Sequence, residues 1–232
     1  MKRVFQTLCL SFTVAVIAAS TAQARECEPA AGRLVSVEGL VEIESGAGWK
    51  SADVDASLCE EDTVRTGRNS RAAISLLNDA VLRLDQNTTV RLVDITPEPE
   101  ERSFLDMIAG AIQSFSRDPR RLEVDTPYLN ATVEGTEFAL LVTDDRSELT
   151  VLEGQVRASN DEGAVSATSG QIAEAPAGMP PTIRLIARPR DAVQWALYYP
   201  PILAVDAAAT PQEAEAAKLA KAGRPDQALD TL

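Results

Sequence analysis

Short runs of alternating apolar and polar residues fill the chain between Gly32 and Ala175. The clearest are Leu34–Val37, Val41–Glu44, Ala73–Leu76, Val81–Leu84, Val90–Val93, Ala139–Val142, Leu149–Leu152 and Val156–Ala158. A period of two is typical of β-strands with one buried and one wetter face. Gly, Asn, Asp and Ser separate the runs, and Asp144-Asp145 and residues 160–163 have the composition of hairpin turns. We therefore predict a mainly β domain.

One short motif occurs twice in this region. Val37–Val41 reads Val-Glu-Gly-Leu-Val, and Leu152–Val156, 115 residues later, reads Leu-Glu-Gly-Gln-Val. Five residues can match by coincidence among Val-rich strands. If the match is a true repeat, the domain is β-solenoid-like or a duplicated β-sandwich. The short strands and regular turns favour the solenoid-like form.

Two segments interrupt the strand pattern. Residues 97–103 are acidic and contain two prolines, which predicts an irregular connection. The apolar residues of Phe104–Phe115 have helix-like spacing, so we predict a short helix, or a helix followed by a strand, inserted at the rim of the domain.

The pattern changes after Pro180-Pro181. Thr182–Ala187 is predicted to be a connecting strand. Asp191–Tyr199 carries Trp195, Tyr198 and Tyr199 at helical spacing. Such a stripe favours a helix folded back on the β core, with a membrane-anchoring or docking helix as the alternative.

The last segment predicts a further helical unit. Residues 211–232 form an alanine-rich helix, a stop at Gly223 and the start of a second helix, an arrangement that resembles a tetratricopeptide repeat. About three such repeats are normally needed to bury their faces. We assign 206–232 as the start of tetratricopeptide-like helices and 179–205 as a linker that contains the aromatic helix.

The first residues predict export. Lys2 and Arg3 precede an apolar run from Leu8 to Ala19, and residues 22–24 read Ala-Gln-Ala. This order is that of a secretory signal peptide, here 1–24 with cleavage after Ala24, and the alternative is an uncleaved anchor helix. The expected location is the periplasm, without stable membrane insertion, and the β domain is assigned to 25–178.

Charge and cysteine content agree with export. Removal of residues 1–24 leaves 20 basic against 35 acidic residues, a net charge of −15. Such a surface repels nucleic acid. Cys27 and Cys59 remain, and two cysteines in an oxidising compartment predict one disulfide, with two free thiols as the alternative.

Nothing in the sequence predicts catalysis. The chain has no histidine, and no nucleophile-elbow or phosphate-loop motif is present. The acidic run Asp53–Asp62 departs from a calcium loop, because Leu58 and Val64 stand where that loop needs glycine and glutamate. We expect no cofactor, no metal and no catalytic residue.

Several motifs together resemble the FecR domain family. They are Trp49 after a glycine turn, Asp62–Gly67, Thr126-Pro127-Tyr128, Val133–Phe138, Glu153–Val156 and Gly170-Gln171. The resemblance covers roughly Gly32 to Ala175. Two turns depart from the family: Glu61-Asp62 stands where Gly-Asp is common, and Asn78-Asp79-Ala80 stands where Asp-Gly-Ser is common. We expect those turns to be shaped differently.

The family motif residues are expected to be structural. They are Asp62, Thr66, Gly67, Thr126, Pro127, Gly135, Thr136, Phe138, Gly154 and Gly170. Gly135 is expected to permit a bend, Thr136 to bond a neighbouring turn and Phe138 to begin a buried strand. The alternative is a ligand surface around Gly135.

The resemblance also frames the function. The best-known FecR proteins are envelope regulators with a cytoplasmic anti-sigma segment and a membrane span, whereas this N-terminus predicts a signal peptide, so contact with a sigma factor is not expected. The prediction is a non-catalytic binding and signalling module for an envelope protein (receptor, sensor or assembly component) or a cell-wall glycan. The alternative is a carboxylate-dependent polysaccharide-active enzyme on a β scaffold.

Overall fold

The computed structural model describes residues 27–46, 48–98, 100–116 and 121–198. Within these ranges the chain forms seventeen strands: β1 (Gly32–Glu38), β2 (Val41–Glu44), β3 (Trp49–Ser51), β4 (Ser57–Leu58), β5 (Thr63–Thr66), β6 (Arg71–Leu76), β7 (Val81–Leu84), β8 (Thr89–Asp94), β9 (Arg102–Phe115), β10 (Arg121–Asp125), β11 (Asn130–Glu134), β12 (Glu137–Val142), β13 (Arg146–Glu153), β14 (Gln155–Asn160), β15 (Gly163–Thr168), β16 (Gln171–Pro176) and β17 (Thr182–Leu185). The mainly β prediction is confirmed. The predicted signal peptide, Tyr199 and the tetratricopeptide-like segment lie outside the described residues.

The strands form two layers that are joined through β9. Sheet A has the order β4-β1-β6-β7-β9-β12-β13-β16-β17, and sheet B has the order β3-β2-β5-β8-β9-β10-β11-β14-β15. The first part of β9 pairs with β8 and β10 in sheet B, and its last part pairs with β7 and β12 in sheet A. Only the β9–β10 pair among these is parallel.

The core lies between the two layers and is mostly aliphatic. Leu34 and Ile74 of sheet A and Val64 and Val124 of sheet B are fully buried in one cluster. Phe138 is its one large aromatic among the fully buried side chains. Each such aliphatic side chain contributes about 1.5–3 kcal/mol when it is removed from water, so a core poor in aromatic residues is sufficient.

The prediction of a helix within Phe104–Phe115 is wrong. This segment belongs to β9, the longest strand, whose inward residues include Leu105 and Met107 before the bend and Ile112 after it. Gly110 has φ +94° at the bend, where the strand leaves sheet B and enters sheet A. The bend breaks the period of two, and this produced the helix-like spacing of the apolar residues.

The repeated five-residue motif marks an internal duplication. The pairs β1–β4, β1–β6, β2–β3 and β2–β5 correspond to β13–β16, β13–β12, β14–β15 and β14–β11, and all eight are antiparallel. The registers agree as well. Leu34 lies opposite Ile74 as Leu149 lies opposite Leu140.

The second copy is a circular permutation of the first. The strands equivalent to β5 and β6 are β11 and β12, which come before the equivalents of β1 to β4 along the chain. Coincidence between two short motifs does not produce four matching strand pairs. The antiparallel pairing fits the duplicated sandwich, and the favoured solenoid-like form, which stacks its strands in parallel, is not found in the described ranges.

The segment after β17 lies on the outer face of sheet A. Two short 3₁₀ turns meet at Val193 and together span Pro189–Tyr198. Val193 and Ala196 are buried against Ala73 and Ala139 of sheet A. The predicted strand at Thr182 and the predicted packing of the aromatic helix on the β core are both confirmed.

A disulfide fixes the start of the described chain. Cys27 is bonded to Cys59, with Cα atoms 5.7 Å apart. Cys59 directly follows β4, and its backbone N–H donates to Asp62 Oδ2 at 2.8 Å. The bond thus holds the segment before β1 against the outermost strand of sheet A.

Loss of the disulfide should destabilise the domain without changing its fold. The closed loop spans a sequence separation of 32 residues. The loop-entropy relation gives about 3–4 kcal/mol for a loop of this size. We expect Cys27→Ser with Cys59→Ser to lower the free energy of unfolding by that amount in urea titrations, with an unchanged far-UV spectrum. An equal midpoint for both proteins would contradict the prediction.

Candidate functional site

The structure does not gather the ten family motif residues at one surface. Six of them lie where neighbouring strands cross between the two sheets: Thr66, Gly67, Gly135, Thr136, Gly154 and Gly170. Asp62 lies beside the disulfide, Phe138 lies in the core, and Thr126 and Pro127 form a turn between β10 and β11. No single surface of the described chain therefore collects the motif residues.

We call the line of crossings the seam. Three glycines with positive φ form its close contacts: Gly39, Gly110 and Gly154. A Cβ atom on any of them would overlap a neighbouring crossing, namely Ser70, Thr88 and Thr136 respectively. Only glycine combines this backbone conformation with so close an approach. A hydroxyl residue faces a glycine at each of the three contacts.

Hydrogen bonds join the crossings in the first copy. Thr66 Oγ1 donates to the carbonyl of Asp85 at 2.5 Å and accepts from the Thr88 N–H at 3.0 Å. Thr88 Oγ1 accepts from the Ala111 N–H at 3.0 Å. Buried side chains thus satisfy backbone groups that the bends would otherwise leave unpaired.

Thr136 does not make the bond that the sequence suggested. Its equivalent Ser70 points Oγ at Gly39 and accepts from the Leu40 N–H at 2.8 Å. Thr136 points its methyl group at Gly154, and its buried Oγ1 has no hydrogen-bond partner among the described residues. The expected turn bond is therefore absent at Thr136, although Gly135 adopts the bend with φ +59° and Phe138 lies in a buried strand as predicted.

The two turns that depart from the family keep a glycine-like shape. Glu61 has φ +66° and Asp79 has φ +64°, so both non-glycine residues adopt the left-handed conformation. The expectation that these turns differ in shape from the family's stays a prediction. The turns keep this shape even with side chains that oppose it, because the surrounding strand pairs determine it.

The turn at Thr126 is held by its own side chain. Thr126 Oγ1 accepts from the Leu129 N–H at 3.0 Å and lies 2.8 Å from Ser147 Oγ. Tyr128 donates its hydroxyl proton to the Asp144 carbonyl. These bonds connect the ends of the two layers at the side away from the seam.

Charged side chains cover the outer face of sheet B. Arg91 pairs with Asp106, and Asn130 donates to both Glu123 and Asp125. Burial raises the pKa of Asp125, and the charges of Glu123 and Asp106 raise it further. The Asp106 carboxylate raises the pKa of Arg91.

A lattice of ion pairs covers one part of the outer face of sheet A. Arg146 lies 2.7 Å from Glu148 and 3.6 Å from Glu174, and Arg184 lies 3.3 and 3.5 Å from the same two carboxylates. A groove of about 370 Å³ adjoins this lattice, with Ile172 and Leu141 on its floor and Trp195 at its side. The groove is shallow and mostly apolar.

The edge of sheet A at β17 is the most exposed strand of the described chain. All four residues of β17 are exposed, and Leu185 retains 79% of its accessible surface. Ile183 is 39% exposed, and Met179 in the preceding loop is 56% exposed. The sequence predicts this segment only as a connecting strand. The sequence does set this region apart by its charge: the run from Ala175 to Arg190 holds three arginines and no carboxylate in an otherwise acidic chain.

The described ranges hold no cluster of metal ligands and no membrane-spanning helix. In those parts of the chain, no group of three or more Cys, Asp or Glu residues is placed to hold a metal ion. No helix there is long and apolar enough to cross a membrane.

Comparison with solved structures defines the fold class. Two crystal structures of a Parabacteroides distasonis ATCC 8503 protein, provisionally described as an anti-sigma factor, match with a TM-score of 0.50 and 14% identity. The match covers 58% of this chain and 64% or 63% of the other. The two proteins therefore share a fold over that part. No curated protein sequence matches this chain significantly.

A family comparison covers the middle of the chain. Residues 62–157 match the family model described as FecR protein. The match agrees with the family resemblance that the motifs indicated. The matched range begins just before β5 and ends within β14, whereas β1 to β4 and β15 to β17 continue the same two sheets on either side.

The seam predicts opposite outcomes for two equivalent hydroxyl residues. Ser70→Ala leaves the Leu40 N–H without its partner and should lower the free energy of unfolding by about 1–2 kcal/mol. Thr136→Val removes a buried hydroxyl that has no partner and keeps the side-chain shape, so it should be neutral or stabilising. Urea denaturation of both variants beside the wild type measures this difference. Equal losses would contradict the assigned bonds.

Glu61→Gly should stabilise the domain. The left-handed conformation costs a non-glycine residue about 1–2 kcal/mol, and part of this is offset by the extra freedom of glycine in the unfolded chain. The exposed Glu61–Arg91 pair, at 3.5 Å, contributes little. We expect a net gain of about 0.5–1 kcal/mol. Glu61→Ala is the control, since it removes the same pair and keeps the strain. A gain for Ala equal to that for Gly would refute the argument.

Proposed function

We propose that this protein is a non-catalytic binding and signalling module of the periplasm, which recognises an envelope protein or a cell-wall glycan. The match of residues 62–157 to the FecR family carries the proposal. Proteins with this domain are signalling regulators that act through other proteins. The identity of the binding partner is to be determined by experiment.

The arrangement of the family motif residues supports binding rather than turnover. The seam residues form hydrogen bonds and close contacts within the fold, so they hold the two layers together instead of facing a substrate. The outer faces and one sheet edge remain available. Exposed sheet edges and apolar surface are the features that proteins commonly use to recognise extended peptides.

The proposed location rests on the N-terminal sequence and on the disulfide. Residues 1–24 have the order of charged, apolar and small residues of a signal peptide. The Cys27–Cys59 disulfide is typical of an oxidising compartment. Both point to the periplasm.

Export and binding can be tested on the same protein. The full chain is expressed with a C-terminal affinity tag, and the mass of the product from the periplasmic fraction should correspond to a chain that begins at Arg25. The purified mature protein is then crosslinked to envelope extract, and its partners are identified by mass spectrometry. We expect one receptor, sensor or assembly protein, which must capture this chain in the reciprocal experiment.

The alternative function has its own measurement. The mature protein is incubated with purified sacculi and envelope polysaccharide, and both bound protein and released reducing ends are measured. Binding to glycan without release supports the glycan form of the proposal. Release of reducing ends would show a polysaccharide-active enzyme and overturn it. An uncleaved, membrane-bound product would overturn the proposed location.

A further inference from the structure

The four sheet edges differ in how well they are protected. In sheet A, β4 has only two residues and is followed by the disulfide-bonded Cys59. In sheet B, β3 has three residues and carries Lys50, and the exposed side chains of β15 are Ala164, Ser166 and Thr168. Short strands, lysines and small polar residues discourage edge pairing. The edge at β17 has four residues and no lysine, and two of its four exposed side chains are large and apolar, Ile183 and Leu185.

The second copy of the duplicated unit has one strand more than the first, and this strand forms the edge. β16 corresponds to β4, which is the last strand of sheet A on its side, whereas β17 adds one further strand beyond β16. The strand is thus an addition to the repeated unit, and the core of the duplication does not require it.

The backbone of β17 presents two residues to an incoming strand. The Ile186 N–H donates to the Gly170 carbonyl at 3.0 Å, so Ile186 faces β16. Antiparallel pairs alternate, and Arg184 and Thr182 therefore also direct their backbone groups to β16. The N–H and C=O groups of Ile183 and Leu185 point to the open edge. An added strand can form four backbone hydrogen bonds with them.

The same two residues carry the exposed apolar side chains. Ile183 lies opposite Ala173, which lies opposite the buried Leu149, so its side chain is on the core face of sheet A. An added strand with apolar residues at alternate positions would cover Ile183 and Leu185 and extend the core. The intervening positions of that strand would lie on the outer face beside Arg184.

The positive charge of Arg184 favours acidic residues at those intervening positions of the added strand. Arg184 already pairs with Glu148 and Glu174 but its side chain is still 51% exposed. Arg188 and Arg190 follow the strand and are exposed, but they line a cavity with Glu137, Leu152 and Glu153, away from the open edge. Acidic side chains on an added strand would meet Arg184.

A second copy of this chain fits the edge poorly. Pairing of two β17 strands through Ile183 and Leu185 places Arg184 of one copy directly opposite Arg184 of the other. Like charges directly opposite each other destabilise a strand pair. An acidic strand has the opposite effect at the same position.

We propose that the open edge of β17 binds an extended segment of a partner protein in which apolar and acidic residues alternate, and that this segment adds a strand to sheet A. This inference rests on the proposed binding function and names the chemistry of its partner. Recognition by strand addition takes affinity from backbone hydrogen bonds and specificity from alternate side chains.

The test uses the mature full chain and a fluorescein-labelled eight-residue peptide that alternates valine with glutamate. Binding is measured by fluorescence anisotropy at low ionic strength. Peptides with lysine in place of glutamate, or with N-methyl groups on the amides of alternate residues, are the peptide controls. We expect both changes to weaken binding by about tenfold or more.

Protein variants locate the site. Leu185→Lys should weaken binding of the Val/Glu peptide by at least about tenfold, because a lysine on an edge opposes strand pairing and an apolar contact is lost. Leu40→Lys and Val54→Lys are matched controls, since these side chains are 53% and 50% exposed at other places on the fold and should bind as wild type does. Circular dichroism is used to check that each variant is folded.

Several results would overturn the inference. They are equal binding by Leu185→Lys and wild type, equal binding of the lysine peptide, no peptide binding at all, or dimerisation in sedimentation that Leu185→Lys abolishes. Crosslinking to envelope extract distinguishes failure of the edge inference from failure of the proposed binding function. A partner that wild type and Leu185→Lys capture equally leaves the binding function intact and excludes the edge.

Discussion

The close approach of backbones along the seam is the constraint on which this fold depends. Each chain segment that passes from one layer to the other must bend there without separating from its neighbours. Positive-φ glycines such as Gly39, Gly110 and Gly154 allow the bend, and a hydroxyl residue fills the space opposite each of them. Packing in the core then follows, because the bends set which side chains of the two sheets face each other.

The sequence predicted the fold class well because most strands obey a simple rule. A strand with one buried face alternates, as the burial of β7 and β8 shows. β9 was missed because its alternation changes phase at Gly110, a change that depends on strands far away in the sequence. Periodicity describes only local order, so it cannot show a bend imposed by distant partners.

The candidate site was harder to predict for the same reason. Motif residues such as Thr66 and Gly154 stand out in the sequence, but their roles are in the seam. The open edge at β17 has no motif. It is created by strand order, because β17 pairs with β16 on one side only, and strand order cannot be read from Thr182–Leu185 alone. The local excess of arginine was the one signal that the sequence held.

The position of β9 also limits how the protein can be divided. β7 and β8, which come before it, and β10 and β12, which come after it, are its neighbours in the two layers. A fragment ending near Ser116 would expose one full side of a fourteen-residue strand. Although the domain contains two related copies, neither is an independent building block. A nascent chain must therefore be synthesised well beyond its midpoint before its first half can fold stably.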